Sequence, residues 1–136
     1  MPEALRSLTY VSQTTDRMSE SAFTQLGLEA ARLNALDGIT GLLVFNGQRF
    51  CQTVEGSPAA IDNLLTRLAA DPRHCSLQIV EDMCVPNRRF RSWDMQFVSI
   101  PADRDAALQV ARERLDSEVD VAARQKIYEV VELASA

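Results

Sequence analysis

The chain has 136 residues, 46% of them apolar, and a formal net charge of −5. That length fits one domain with a real hydrophobic core that needs neither disulfides nor metal. The acidic balance argues against non-specific binding of nucleic acid, which calls for a basic face, and more weakly against an anionic membrane surface. No apolar run approaches the roughly 20 residues that span a bilayer. The three cysteines, Cys51, Cys75 and Cys84, are odd in number and form no CxxC, so they read as small hydrophobes. Met1 to Leu8 lacks a basic stretch followed by an apolar run, so no secretory signal is read and a cytoplasmic protein is expected.

Leu5 to Ser12 predicts a strand with Leu8, Tyr10 and Ser12 on one face and Thr9 and Val11 on the other. Gln13 to Arg17 is a polar loop. Ser19 reads as an N-cap for a helix carrying Ala22, Phe23, Leu26, Leu28, Ala30, Ala31 and Leu33, closed by Asn34 to Asp37 with Gly38 as its stop. Ile39 to Phe45, rich in apolar and β-branched residues, predicts a strand buried on both faces. Asn46-Gly47 is a strong hairpin signal. The strand returns over Arg49 to Val54 with Phe50, Gln52 and Val54 on one face, and Glu55-Gly-Ser-Pro58 reads as a turn. Pro58 to Ala70 is a second helix with Ile61, Leu64, Leu65 and Leu68 as its stripe, broken by Asp71-Pro72.

Leu77 to Cys84 predicts a fourth strand. Pro86 to Arg91 predicts a basic turn whose Arg88, Arg89 and Arg91 are solvated or face a partner, and Trp93 to Ile100 predicts a fifth strand. Pro101 to Asp103 links to two amphipathic helices, Asp105 to Ser117 and Val119 to Ala134. The order β-α-β-β-α-β, with one more strand, is the split βαβ pattern of ferredoxin-like α+β folds. A mixed sheet with two helices on one face follows from it.

Motifs for enzymes are scarce. His74 is the one histidine, so a single chain builds no histidine-based metal site, and GxSxG, GxGxxG and the P-loop are all missing. The unusual feature is polar groups on faces that should be core. Tyr10 lies mid-strand, Gln52 sits between Phe50 and Val54, and Asn34 ends the first helical pattern. Buried amides and phenols need partners. Each is satisfied by backbone or solvent, or together they line an apolar pocket with a few placed polar groups, suited to a planar heterocycle with donors and acceptors.

Five blocks then carry a resemblance: Tyr10-Val-Ser-Gln13, Asn34-Ala-Leu-Asp-Gly-Ile-Thr-Gly-Leu-Leu43, Gly47-Gln-Arg-Phe-Cys-Gln-Thr-Val-Glu-Gly56, Asp71-Pro-Arg-His74 and Arg89-Phe-Arg-Ser-Trp-Asp-Met-Gln96. In this order and spacing, from about Leu5 to Ile100, the chain resembles the BLUF flavin photoreceptor family. The resemblance implies a BLUF domain over 1–101, with a flavin between its two helices, and a C-terminal helical extension over 102–136 packed on the sheet. Tyr10 matches the tyrosine that gives an electron and a proton to the excited flavin. Gln52 matches the glutamine that bridges this phenol and the flavin and changes its hydrogen bonding by rotation or tautomerisation. Asn34 matches the asparagine at the pyrimidine edge, Arg67 a position near the ring or ribityl end, and Arg73 and His74 the ribityl or phosphate side. Trp93 and Met95 match the strand by which the signal leaves.

The implied cofactor is FAD, with FMN or riboflavin possible, because the ring contacts do not depend on the tail. Two positions depart from several members: Leu33 stands where they carry a polar or aromatic residue, and Cys51 is small for its place. Only some 36 residues follow the core, so the resemblance implies a photosensor without its own catalytic domain, acting on an effector protein or on its own homodimer or higher oligomer. The C-terminal helices are expected to cap the sheet face opposite the flavin and to feel the fifth strand move. Two alternatives stay open: a ferredoxin-like regulatory module for another ligand, and a flavin redox enzyme with substrate access to the ring.

Overall fold

The computed structural model describes residues 4–91, 95–114 and 121–135. In chain order the elements are β1 (Leu5–Thr14), α1 (Glu20–Leu36), β2 (Thr40–Phe45), β3 (Arg49–Gly56), α2 (Pro58–Ala70), β4 (His74–Val85), β5 (Gln96–Ser99), α3 (Arg104–Arg114) and α4 (Val121–Ser135). The sheet order is β4-β1-β3-β2-β5. β3 inserts between β1 and β2 and is antiparallel to both, β4 is antiparallel to β1, and β5 runs parallel to β2. This is the expected ferredoxin-like α+β fold with a fifth strand on the β2 edge and two C-terminal helices.

Local chemistry starts and stops the elements. The Ser19 and Ser57 side chains accept from the backbone N–H of Ala22 and Ala60, capping α1 and α2. Pro58 occupies the first turn of α2, where a missing N–H costs nothing. Asn46 Oδ1 accepts from the N–H groups of Gln48 and Arg49, and Gly47 takes φ 96°, which closes the β2–β3 hairpin.

Three boundaries differ from the sequence reading. α1 runs to Leu36, so Asn34 lies in its last turn, on the buried stripe shared with Phe23 and Gly27. β3 continues through Glu55 and Gly56, which were expected in a turn; a glutamate in a central strand is tolerated because its side chain is fully engaged, as described below. β4 begins at His74 rather than Leu77, extended by register shifts against β1. Trp93 lies outside the described residues, and β5 is described only from Gln96.

The sheet is covered on both faces. On one, Leu8, Tyr10, Leu43, Phe45, Phe50 and Val54 pack with Phe23 of α1, with Ile61 and Leu64 of α2, and with Met95. Phe23, Phe45 and Phe50 stack with centroids 5.0 and 4.7 Å apart. A Cβ on Gly27 would overlap the Phe97 ring, so glycine lets α1 lie directly on β5. On the other face, Leu42, Val44, Cys51, Val98 and Ile100 pack with Ala107 and Ala111 of α3 and with Ile127, Val130 and Val131 of α4. The alternation of Leu42 and Val44 against Leu43 and Phe45 explains why β2 reads as continuously apolar. Lys126, 2% exposed, ties α4 to the β4 edge through Glu81 at 3.1 Å and also meets Glu129 at 3.2 Å. Only Cys51 behaves as a core hydrophobe; Cys75 and Cys84 are exposed on β4, an edge strand with few neighbours on either face.

Candidate functional site

A cavity of about 530 Å³ lies between α1, α2 and the sheet. Its walls are Leu26, Ala30 and Leu33 of α1, Leu64 and Leu68 of α2, and Leu43 and Phe50 of the sheet. Tyr10, Asn34, Gln52, Arg67, Arg73 and His74 line the same cavity, so all six expected ligand contacts converge there. An apolar slot with a few placed polar groups is the usual form of a small-molecule site.

Tyr10 and Gln52 are cross-strand partners on β1 and β3, with side chains on the helix-covered face. The Tyr10 hydroxyl donates to Gln52 Oε1 at 2.6 Å. Gln52 Nε2 donates to Met95 Sδ at 3.4 Å. Burial, reinforced by the fields of Cys51 and Asp71, pushes the Tyr10 phenol well above its usual range. The phenol therefore keeps its proton and offers it along a defined line to the amide.

Asn34 is 1% exposed. Its Oδ1 accepts from Arg67 Nη2 at 3.0 Å, while Arg67 Nη1 reaches Asp37 at 3.2 Å. The Asn34 Nδ2 amide has no hydrogen-bond partner among the described residues. A buried donor left unpaired costs about 1–3 kcal/mol, so this one calls for an acceptor in the cavity.

The segment after α2 forms a third polar group. Arg73 Nε and Nη2 grip the Asp71 carboxylate at 2.9 and 2.7 Å, and Nη2 also meets Glu29 at 3.4 Å. The Arg73 guanidinium holds the Asp71 carboxyl below its ordinary range, and Asp71 in turn raises Arg73. His74 Nε2 lies 2.8 Å from the Leu68 carbonyl, which only accepts, so Nε2 carries a proton. His74 Nδ1 meets Ser12 Oγ at 3.0 Å. With both nitrogens engaged inside the protein, His74 offers a ligand its ring, not a free donor. Arg73 and His74 are thus fixed by the fold.

Some groups at the site carried no signal in the sequence. Glu29, Asp37 and Ser12 fix Arg73, Arg67 and His74 from distant segments; each reads locally as an ordinary polar residue. Of the departures, Leu33 lines the cavity, whereas Cys51 faces α3 and α4 on the other side of the sheet, where burial pushes its thiol up to about 12. Arg88, expected to be solvated or to face a partner, donates to Thr40 Oγ1 at 2.9 Å and to the Glu55 carbonyl at 3.0 Å. Among the described residues, no group of three histidine, cysteine or acidic side chains is placed to hold a metal ion, and no helix is long and apolar enough to cross a membrane.

The family model for BLUF, described as sensors of blue-light using FAD, matches residues 5–96. The chain is similar to the photoactivated adenylate cyclase subunit beta of Euglena gracilis, with 33% identity over 115 residues that take in 79% of this chain and 13% of that protein. It therefore spans about an eighth of that relative's length. Among solved structures it is similar to BlrB, a BLUF protein in its dark state, with TM-score 0.71 and 33% identity over 93% of this chain and 96% of that one. It is also similar to Klebsiella pneumoniae BlrP1 with FMN and cyclic diGMP, with TM-score 0.71 and 27% identity over 94% of this chain and 35% of that one.

Proposed function

The chain belongs to the BLUF family of blue-light sensors, and we propose that it binds a flavin non-covalently in the cavity between α1 and α2 and signals light through Tyr10, Gln52 and Met95. The observation that carries this reading is the continuous hydrogen-bond line that starts at Tyr10 and Gln52 in the wall of that cavity and runs through the Gln52 amide to Met95 behind it.

The residues present fit a flavin. The ring system is flat and apolar, and its pyrimidine edge carries carbonyl acceptors. Asn34 Nδ2, a buried donor with no protein acceptor, would meet that edge beside Arg67, and Leu33, Leu26 and Leu64 would cover the ring. Arg73 and His74 would lie along the tail. FAD is the proposed cofactor, with FMN or riboflavin also accommodated, because the contacts of Asn34, Leu33, Leu26 and Leu64 with the ring would not depend on the tail. When bound, the flavin supplies blue-light absorption and an excited state that accepts an electron.

The chain's own residues then do the rest. Tyr10 would be the electron source for a bound flavin, and its phenolic proton would leave along the hydrogen bond to Gln52 Oε1, so that no charge is stranded on Tyr10 in a site where water cannot stabilise it. Gln52 has a donor and an acceptor end, so rotation or tautomerisation of its amide changes what it presents to Tyr10 and to Met95. That exchange loosens the contact to Met95 and shifts β5. Val98 and Ile100, at and just beyond β5, pack under α3 and α4, so the movement is carried to the C-terminal helices. The output is a changed contact with an effector protein or a changed assembly of this chain, with 102–136 acting as the responsive extension.

The test is an absorption spectrum before and after a blue flash, with Tyr10→Phe alongside. A flavin spectrum that moves slightly to the red, recovers in the dark and loses that reversible shift in the variant supports the reading. A protein that takes up no flavin, or a bound flavin that only bleaches, overturns it.

A further inference from the structure

We infer that Glu55 is a positioning residue, a buried anchor that holds the backbone of Arg89 and Phe90 to β3 so that a rearrangement at Gln52 moves Met95 and β5 and not the connection that precedes them. The inference rests on the photoreceptor reading above.

β3 carries two tethers to the same stretch of chain. On the cavity face, Gln52 Nε2 meets Met95 Sδ at 3.4 Å. On the opposite face, three residues on, Glu55 is 2% exposed. Its Oε1 accepts from the Phe90 N–H at 2.6 Å and from Thr40 Oγ1 at 3.0 Å, and its Oε2 accepts from the Arg89 N–H at 2.9 Å. Arg88 closes the group by donating to Thr40 Oγ1 and to the Glu55 carbonyl. Thr40 is itself the cross-strand partner of Glu55, so the anchor is built into the centre of the sheet.

The two tethers differ in strength. Backbone N–H groups bound to a buried carboxylate form short, strong hydrogen bonds. A thioether is a weak acceptor, and 3.4 Å is a long contact. Phe90 is also locked by packing, at 3% exposure, in the core beneath α3 and α4. A change at Gln52 therefore releases the Met95 end while the Phe90 end stays fixed. A fixed pivot turns a side-chain event into a displacement of β5; without it, the same event would be absorbed by the connection from β4. No enzyme-like or ligand role is needed for a glutamate in this strand.

The test is amide hydrogen exchange of the flavin-loaded full chain in the dark and under blue light, for the native protein and Glu55→Gln, which replaces one acceptor with a donor facing N–H groups. In the native protein, light should speed exchange across Gln96–Ser99 and leave the Arg89 and Phe90 amides protected. In Glu55→Gln, those two amides should exchange about tenfold faster or more. The light-induced change at Gln96–Ser99 should shrink severalfold, while the flavin red shift keeps its size. Native protein in which light opens Arg89 and Phe90 together with Gln96–Ser99 overturns the inference, and this arm decides alone if the variant does not fold. A folded variant with an undiminished response at Gln96–Ser99 also overturns it. Absence of any flavin red shift in the native protein removes the photoreceptor reading instead, which the spectrum shows separately.

Discussion

The Tyr10 hydroxyl and the Gln52 side-chain carbonyl face each other at 2.6 Å as directly paired residues of two neighbouring antiparallel strands. Both side chains are almost fully buried, at 3% and 2% exposure, so neither can exchange this bond for water. Gln52→Leu leaves the phenol without its acceptor and should cost about 1–3 kcal/mol. Tyr10→Phe orphans the amide oxygen and should cost a similar amount. The double variant removes both ends, so its cost should fall clearly below the sum of the two. Denaturant unfolding of the four proteins measures this; strict additivity would mean that the bond does not form in solution.

Alkaline pH tests the same phenol from another side. Burial raises the Tyr10 pKa above its ordinary value of 10.0. At pH 10 the folded protein should keep Tyr10 protonated while the unfolded chain begins to ionise it. Stability is therefore unaffected by this group below pH 10 and is lost as pH rises beyond it. The reversible light response should persist at pH 10 in protein that is still folded. A response that titrates away with a midpoint near 10, without unfolding, would show an accessible phenol and refute the burial argument.

Much of this was legible in the sequence because it rests on local chemistry. Ser19, Pro58 and Asn46-Gly47 mark starts and turns through their own local chemistry, and the face shared by Phe50, Gln52 and Val54 in β3 set Gln52 among core residues. What escaped depended on distant partners. Glu55 reads as a turn residue because nothing nearby shows that Thr40 and the N–H groups of Arg89 and Phe90 receive its carboxylate. His74 fell outside the expected fourth strand because the Ser12 that holds it in the sheet is far away in the chain. Asn34 could be picked out as an odd polar residue, but its unpaired Nδ2 appears only once α1 is seen to continue through it.

The Asp71–Arg73 pair sets an acid limit. Arg73 lowers the Asp71 pKa from its ordinary 3.8, so the pair's contribution is present above that value and is lost as pH falls through the lowered one. Arg73 is 40% exposed, so solvent screening keeps the effect to about 1 kcal/mol or less. Asp71→Asn should lower stability by that amount at neutral pH, and the difference should shrink as pH falls below 3.8. It should also free Arg73 from its carboxylate grip and loosen that wall of the cavity. Thermal unfolding of both proteins across pH is the check, and a difference that grows towards acid would contradict the assignment.

Lys126 separates packing from charge. Its side chain is 1% exposed, yet those of Glu81 and Glu129 are 29% and 49% exposed. Removing the ammonium therefore strands no buried carboxylate. Bringing a cation under α4 carries a desolvation cost that a partly solvated pair offsets poorly. Lys126→Met keeps most of the volume and should be neutral or stabilising. Lys126→Ala opens a cavity between α4 and the sheet and should cost about 2 kcal/mol or more. Cys51, beneath the same helix, reports the outcome, because the Lys126 charge partly counters the burial that raises its thiol to about 12. In the native protein a thiol reagent should modify exposed Cys75 and Cys84 quickly and Cys51 only on unfolding. Lys126→Met should preserve that protection, and Lys126→Ala should weaken it. If both variants lose stability equally, the ion pair itself holds α4 in place.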